Sequence, residues 1–146
     1  MAAFRRPESV LVVVYSETGE VLLMERDDRP GFWQSVTGSL NEGEQPAAAA
    51  KRELFEETGL DAEPVDLHTC REFEIFPEFL HRFAPGVTRN LEHAFALALP
   101  WAVPVRLDLT EHLRYRWLPW REAAALTESW TNREVIESLF TERGND

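Results

Sequence analysis

A single cysteine, Cys70, occurs among the 146 residues, so no internal disulfide is possible, and a cytoplasmic setting is expected. Cys70 itself is expected in the core. No stretch reaches the roughly 18 apolar residues that a spanning helix requires. Ser9–Tyr15 is apolar but too short, and reads as a buried strand. The basic start, Met1 to Pro7, lacks the apolar stretch and cleavage site of a signal peptide. Basic residues are also scarce, with 15 Lys and Arg against 26 Asp and Glu, and the net charge of −11 argues against a nucleic-acid duplex as partner, because such binding rests on neutralised phosphates. Internal repeats, low-complexity tracts and Gly/Ser linkers are missing too. A domain boundary therefore has nowhere to fall, and residues 1–146 are read as one domain, with monomer and homo-oligomer both open. Neither a GxGxxG nor a Walker-type loop offers a phosphate site.

What is present is an ordinary globular composition, 44% apolar, 28% charged and 11% aromatic, in a chain long enough to bury about 68–70% of its unfolded surface. Apolar runs at Ser9–Tyr15 and Val21–Glu25 flank a turn containing Gly19 and suggest a hairpin. Phe32–Thr37, Ala62–Phe76, Leu91–Leu99 and Tyr115–Leu118 read as further strands. Pro46 opens a run of strong helix formers, Ala47–Thr58, that Gly59 ends. Two helices close the chain, about Trp120–Leu126 and Asn132–Phe140, the latter with a capping box at Thr131-Asn132-Arg133-Glu134. Strands with interspersed helices indicate an α/β sandwich on a mixed sheet.

On the Ala47–Thr58 helix, Glu53, Glu56 and Glu57 are three and four residues apart and share one face. Like charges so placed weaken a helix by a few tenths of a kcal/mol per pair. A solvated acidic face bears that cost, whereas a hard cation removes it; oxygen ligands of this kind suit Mg²⁺ or Mn²⁺. Arg52 adjoins the cluster and can orient a carboxylate through a forked hydrogen bond. Ala47, Ala50 and Leu54 lie on a neighbouring stripe suited to packing on the sheet. An acidic protein repels an anionic substrate, so a cation or a local arginine cluster must reverse the sign at any phosphate site.

Gly38, five residues, Glu44, seven residues, then Arg52-Glu53-Leu54-Phe55-Glu56-Glu57-Thr58-Gly59-Leu60 resembles the signature of the Nudix hydrolase family throughout its length. The resemblance implies a loop–helix–loop within a Nudix α/β/α sandwich. It further implies a divalent metal held by Glu53, Glu56 and Glu57 with support from Glu44 and Arg52, and hydrolysis of a diphosphate linkage. In such chemistry the metal neutralises phosphate charge and activates water, and a carboxylate takes the proton.

Beyond that box, Phe32–Ser39 (FWQSVTGS), Arg71–Phe76 (REFEIF), Arg82–Asn90 (RFAPGVTRN), Leu97–Pro100 (LALP), Thr110–Leu113 (TEHL) and Ala125–Arg133 are similar to the branch of the family that splits 7,8-dihydroneopterin triphosphate into the monophosphate and pyrophosphate in folate synthesis. Glu111, in the loop before Tyr115–Leu118, stands where this branch places a further metal ligand; without the resemblance it reads as a solvated carboxylate. The spacing leaves open which of Glu56, Glu57 and Glu111 removes the proton.

Arg5 and Arg26 are candidates for phosphate contacts through paired guanidinium donors, or else surface arginines. Thr37 offers a hydroxyl donor. Phe73, Ile75 and Phe76 offer flat apolar surface beside Glu74, matching a heterocycle with ring N–H donors, unless they are simply core. Ser129 is a substrate candidate or a helix cap. His68, His81, His93 and His112 have no spacing that suggests zinc. Two rival functions stand beside the pterin triphosphate: hydrolysis of nucleoside triphosphates such as ATP or dATP, and a non-catalytic nucleotide-binding module. The intact box speaks against the module.

Overall fold

The computed structural model describes residues 4–141. In chain order come β1 (Glu8–Ser16), β2 (Glu20–Arg26), β3 (Trp33–Gln34), β4 (Val36–Ser39), α1 (Pro46–Thr58), β5 (Val65–Glu74), a 3-10 helix (Pro77–Arg82), β6 (Arg89–Leu99), β7 (His112–Pro119), α2 (Trp120–Leu126) and α3 (Trp130–Thr141). The strands form one sheet in the order β3-β2-β1-β6-β5, with β4 paired to β1 and β7 to β2. β1 runs parallel to β6 along its whole length, from Glu8↔Leu91 to Ser16↔Leu99. Its unbroken apolar stretch, Val10–Val14, follows from burial on both faces. On one face Val10, Val12, Val36 and Phe95 meet Ala49, Ala50 and Leu54 of α1. On the other, Leu11, Val13, Ala94 and Ala96 meet Ala123 and Ala124 of α2 and Val135, Ile136 and Phe140 of α3. The expected α/β/α layering on a mixed sheet is thus observed, and no helix of the described residues is long and apolar enough to cross a membrane.

The departures from expectation create the site. The expected hairpin pairs at Tyr15↔Val21 beside its turn. Beyond that the two strands part: β1 takes β4 as neighbour, Ser9↔Ser39 to Val12↔Val36, while β2 takes β7 and β3. The expected strand Phe32–Thr37 breaks at Ser35, because Asn132 Oδ1 accepts from the Ser35 N–H at 2.8 Å and Asn132 Nδ2 donates to its hydroxyl at 3.0 Å. Ala62–Phe76 is shorter than expected, and Cys70 is exposed rather than core. It lies on an edge strand, at a register shift that follows His68 at φ 55. The last helix starts two residues early, at Trp130. Its cap is Ser129, whose hydroxyl accepts from the Asn132 N–H at 3.3 Å, and Glu134 turns away to Arg71 at 2.8 Å instead of closing a capping box.

Candidate active site

α1 forms because Pro46 supplies a fixed φ at its start and Gly59 adopts the left-handed conformation, φ 77, that ends it. Leu54 and the alanines anchor the helix on the sheet, and this carries Glu53 and Glu57 inward with them. Glu57 is 1% exposed. The Thr37 N–H donates to its carboxyl, yet Oε1 finds no hydrogen-bond partner among the described residues. His112 Nε2 stands 3.7 Å away, too far to donate. Burial and Arg26 also lower the His112 pKa, so the ring is neutral and gives no ion pair. Glu53 and Glu57 are within hydrogen-bonding reach of each other, and burial raises both pKa values; the charges of Glu53 and Glu111 raise that of Glu57 further, whereas the bond to Glu57 and the charge of Arg52 oppose the rise at Glu53. Two carboxyls so placed favour a shared proton or a bound cation. The chain leaves room for this pair at Gly38, where a Cβ would overlap the Glu53 carboxylate.

Arg52 ties the helix to the loop before it. Its Nε and Nη2 each donate to Glu44 at 2.8 Å, Nη2 also reaches the Ser39 carbonyl at 3.1 Å, and Nη1 donates to Glu53 at 2.8 Å and Glu56 at 3.1 Å. The pairing lowers the Glu44 pKa and raises that of Arg52. Glu44 is therefore a partner of Arg52, and Glu56 lies half exposed outside the cavity wall. Glu111 lines the cavity from the loop before β7, its pKa raised by burial and by Asp108. Among the described residues no three His, Cys, Asp or Glu side chains gather in a metal-binding geometry; Arg52 draws the nearer oxygens of Glu53 and Glu56 to itself. The donor set nevertheless fits a divalent ion. An orphaned, fully buried carboxylate oxygen, a second carboxylate pressed against it and Glu111 repelling Glu57 together make a field that a cation would relieve.

The carboxylates open into a cavity of about 1100 Å³ at the place where β1 and β2 part. Arg5, Arg26 and Arg82 line it. Asp28 holds two of them, accepting from Arg26 twice at 2.7 Å and from Arg82 at 2.6 Å, which lowers its own pKa. Burial and the nearby charges of Arg82 and Arg26 lower the Arg5 pKa. Cations crowded in this way create a place for an anion. Arg82 is absent from the sequence-based candidates because the 3-10 helix that delivers it carries no local signature.

Phe73, Ile75 and Phe76 line the cavity as expected, joined by Phe32 and Phe79. Phe32, Phe76 and Phe79 pack edge to face with centroids 5.5 to 6.3 Å apart, and the Arg26 guanidinium lies 4.4 Å from the Phe79 ring. Two expectations need correction. Glu74 is not among the cavity-lining residues: strand alternation that sends Phe73 inward turns its neighbour the other way, towards Arg89. Thr37 reaches the cavity, but its hydroxyl proton is committed to the Val10 carbonyl at 2.9 Å. Ser129 lines the cavity and also caps α3. The buried polar groups lining the cavity beyond the expected site residues include Ser9, Gln34, Asn90, Glu92 and Asn132. Glu92 did carry a signal, a lone acid within the apolar strand Leu91–Leu99.

The chain is 52% identical over 142 residues to the dihydroneopterin triphosphate diphosphatase of Escherichia coli K12, covering 93% of each protein. It is 40% identical to the protein of the same name from Haemophilus influenzae, over 96% of this chain and 91% of that one. The solved E. coli dihydroneopterin triphosphate pyrophosphohydrolase superposes with a TM-score of 0.89 at 48% identity, covering 94% of this chain and 97% of that one. The NUDIX domain model matches residues 5–139, and this chain belongs to the Nudix family.

Proposed function

We propose that this Nudix hydrolase converts 7,8-dihydroneopterin triphosphate and water into dihydroneopterin monophosphate and pyrophosphate, with Mg²⁺ as its metal. The observation that carries this reading is the pair of part-buried Glu53 and buried Glu57, with the orphaned oxygen of Glu57, opening into a cavity lined by arginines and aromatic rings. It is supported by 52% identity to a dihydroneopterin triphosphate diphosphatase.

Glu53, Glu56, Glu57 and Glu111 would hold the ion, after Glu53 and Glu56 exchange Arg52 for it. When bound, a divalent ion neutralises phosphate oxygens and lowers the pKa of a coordinated water. Arg5, Arg26 and Arg82 bind the triphosphate and reverse the sign of an acidic protein at this one place. Arg52, fixed by Glu44, keeps α1 and the β4 loop in register. Phe73, Ile75 and Phe76 seat the ring system, and one carboxylate of the set Glu56, Glu57 and Glu111 accepts the proton of the attacking water. Most of the rate then comes from positioning and charge.

Pyrophosphate release is to be compared on dihydroneopterin triphosphate and dATP with Mg²⁺. Faster turnover of the pterin is expected; equal or better turnover of dATP would overturn the pterin assignment in favour of a nucleoside triphosphate hydrolase. A chelator should stop both reactions. Glu57→Ala should lower turnover by about 10²–10³-fold or more while the chain stays folded, and unchanged release would refute the metal assignment.

A further inference from the structure

Glu92 has no part in the chemistry above, yet it is 5% exposed and lines the same cavity. It sits on β6 between Ser9 of β1 and Arg71 of β5, two residues from Asn90 and so on the same face of the sheet. The neighbouring polar groups are largely committed. Asn90 Nδ2 donates to the Ser9 hydroxyl at 2.8 Å, Asn132 is spent on Ser35, and Ser129 caps α3. The Thr131 side chain hydrogen-bonds the Glu92 carboxyl, but Oε1 has no partner among the described residues. Leaving a buried acceptor unmatched costs on the order of 1–3 kcal/mol. Because each carboxylate oxygen can accept two hydrogen bonds, the bond from Thr131 leaves most of the accepting capacity unused.

We infer that Glu92 determines specificity at the ring end of the substrate, its carboxylate accepting from a heterocycle edge that carries a ring N–H beside an exocyclic NH₂. The 2-amino-4-oxopyrimidine edge, common to pterins and guanine, presents two such donors side by side. Adenine presents one donor beside an acceptor and cannot satisfy a carboxylate fork. Phe73 and Ile75, on the same face of the neighbouring strand and its extension, provide the apolar walls for the ring. Burial raises the carboxyl to about 7 against the Thr131 bond and the charge of Arg71, which favour its ionised form; Arg71 is itself paired to Glu134 at 2.8 Å, and a pair of N–H donors would add to these two. The inference rests on the proposed function and adds to it the residue that reads the ring.

The test is kcat/KM for pyrophosphate release from dihydroneopterin triphosphate, GTP and ATP with Mg²⁺, by the parent and by Glu92→Gln. The amide keeps the shape but replaces one acceptor with a donor that faces a donor. A loss of about 100-fold is expected on the pterin and on GTP, with ATP turnover within about threefold of the parent, which also reports that the variant is folded. If ATP is lost equally, or if the GTP-to-ATP ratio is unchanged, the inference is overturned. A parent that prefers ATP to the pterin overturns the proposed function instead, and the GTP-to-ATP ratio still decides the role of Glu92.

Discussion

Glu92 couples recognition to stability in a way that pH can separate. A glutamate ionises near 4.5 when unfolded, whereas folded Glu92 does so at about 7. Between those values the native state binds more protons than the unfolded one, so stability falls as pH rises through the window. Above about pH 7 the full cost is present, roughly 3 kcal/mol for a buried group shifted this far. Neutral His112, with its lowered pKa, works in the opposite sense, since its contribution is lost as pH falls. The difference between parent and variant isolates Glu92. Denaturant unfolding at pH 5 and pH 8 should find that Glu92→Gln gains about 2–3 kcal/mol on the parent between the two; a constant gap would mean that Glu92 does not titrate there. Gly38 acts on chemistry instead. In Gly38→Ala the new methyl displaces the flexible end of Glu53 rather than backbone, so the stability change should stay within about 1 kcal/mol. Turnover should fall by about 10–100-fold, because a misplacement near 1 Å at a reacting group is enough. Parent-like kinetics would show that the carboxylate can be moved without cost.

At the scale of elements, α1 was legible from both ends because its signals are local: Pro46, a run of helix formers, and Gly59. Its end yields a prediction. Gly59 at φ 77 donates its N–H to the Phe55 carbonyl at 2.9 Å, and an added Cβ would stand 3.3 Å from Cβ of Arg106. Gly59→Ala should therefore cost about 1–2 kcal/mol in a denaturant titration; a cost below about 0.3 kcal/mol would mean that the helix ends some other way. The break between β3 and β4 could not be read, because its cause, Asn132, lies 97 residues from Ser35. The same reason hid the divergence of β1 from β2, which depends on β4, β6 and β7 competing for their edges. Cys70 is exposed on an edge strand, and an apolar strand pattern does not distinguish a central strand from an edge. The site follows this division. Glu53, Glu56 and Glu57 are neighbours on one helix and can be found from spacing, whereas Arg82 and Glu92 reach the cavity through non-local pairing. Glu74 falls under the same division, since residue type alone does not tell which face of a strand a side chain takes.

Over the whole molecule, a net charge of −11 coexists with a cavity whose cations, Arg5, Arg26 and Arg82, stand beside an acidic group that is short of positive charge. Burial raises the pKa of both Glu53 and Glu57, and a divalent ion bound between them would favour their ionised forms. Binding to the native state alone stabilises it by about 2.7 kcal/mol at a hundredfold excess over Kd, which for a domain of this length raises Tm by roughly 5–10 °C. Mg²⁺ should produce such a shift in thermal unfolding at pH 7.5, and NaCl at equal ionic strength should not, since screening leaves a buried pair nearly untouched. In Glu57→Gln the Mg²⁺ shift should vanish. The same variant should be more stable than the parent without metal, because it removes an acid whose pKa is raised in the fold and whose ionised form is therefore unfavourable at this pH. A Glu57→Gln protein that is less stable in the absence of metal, or that keeps the Mg²⁺ shift, would mean that the orphaned oxygen of Glu57 is met by something other than a divalent ion.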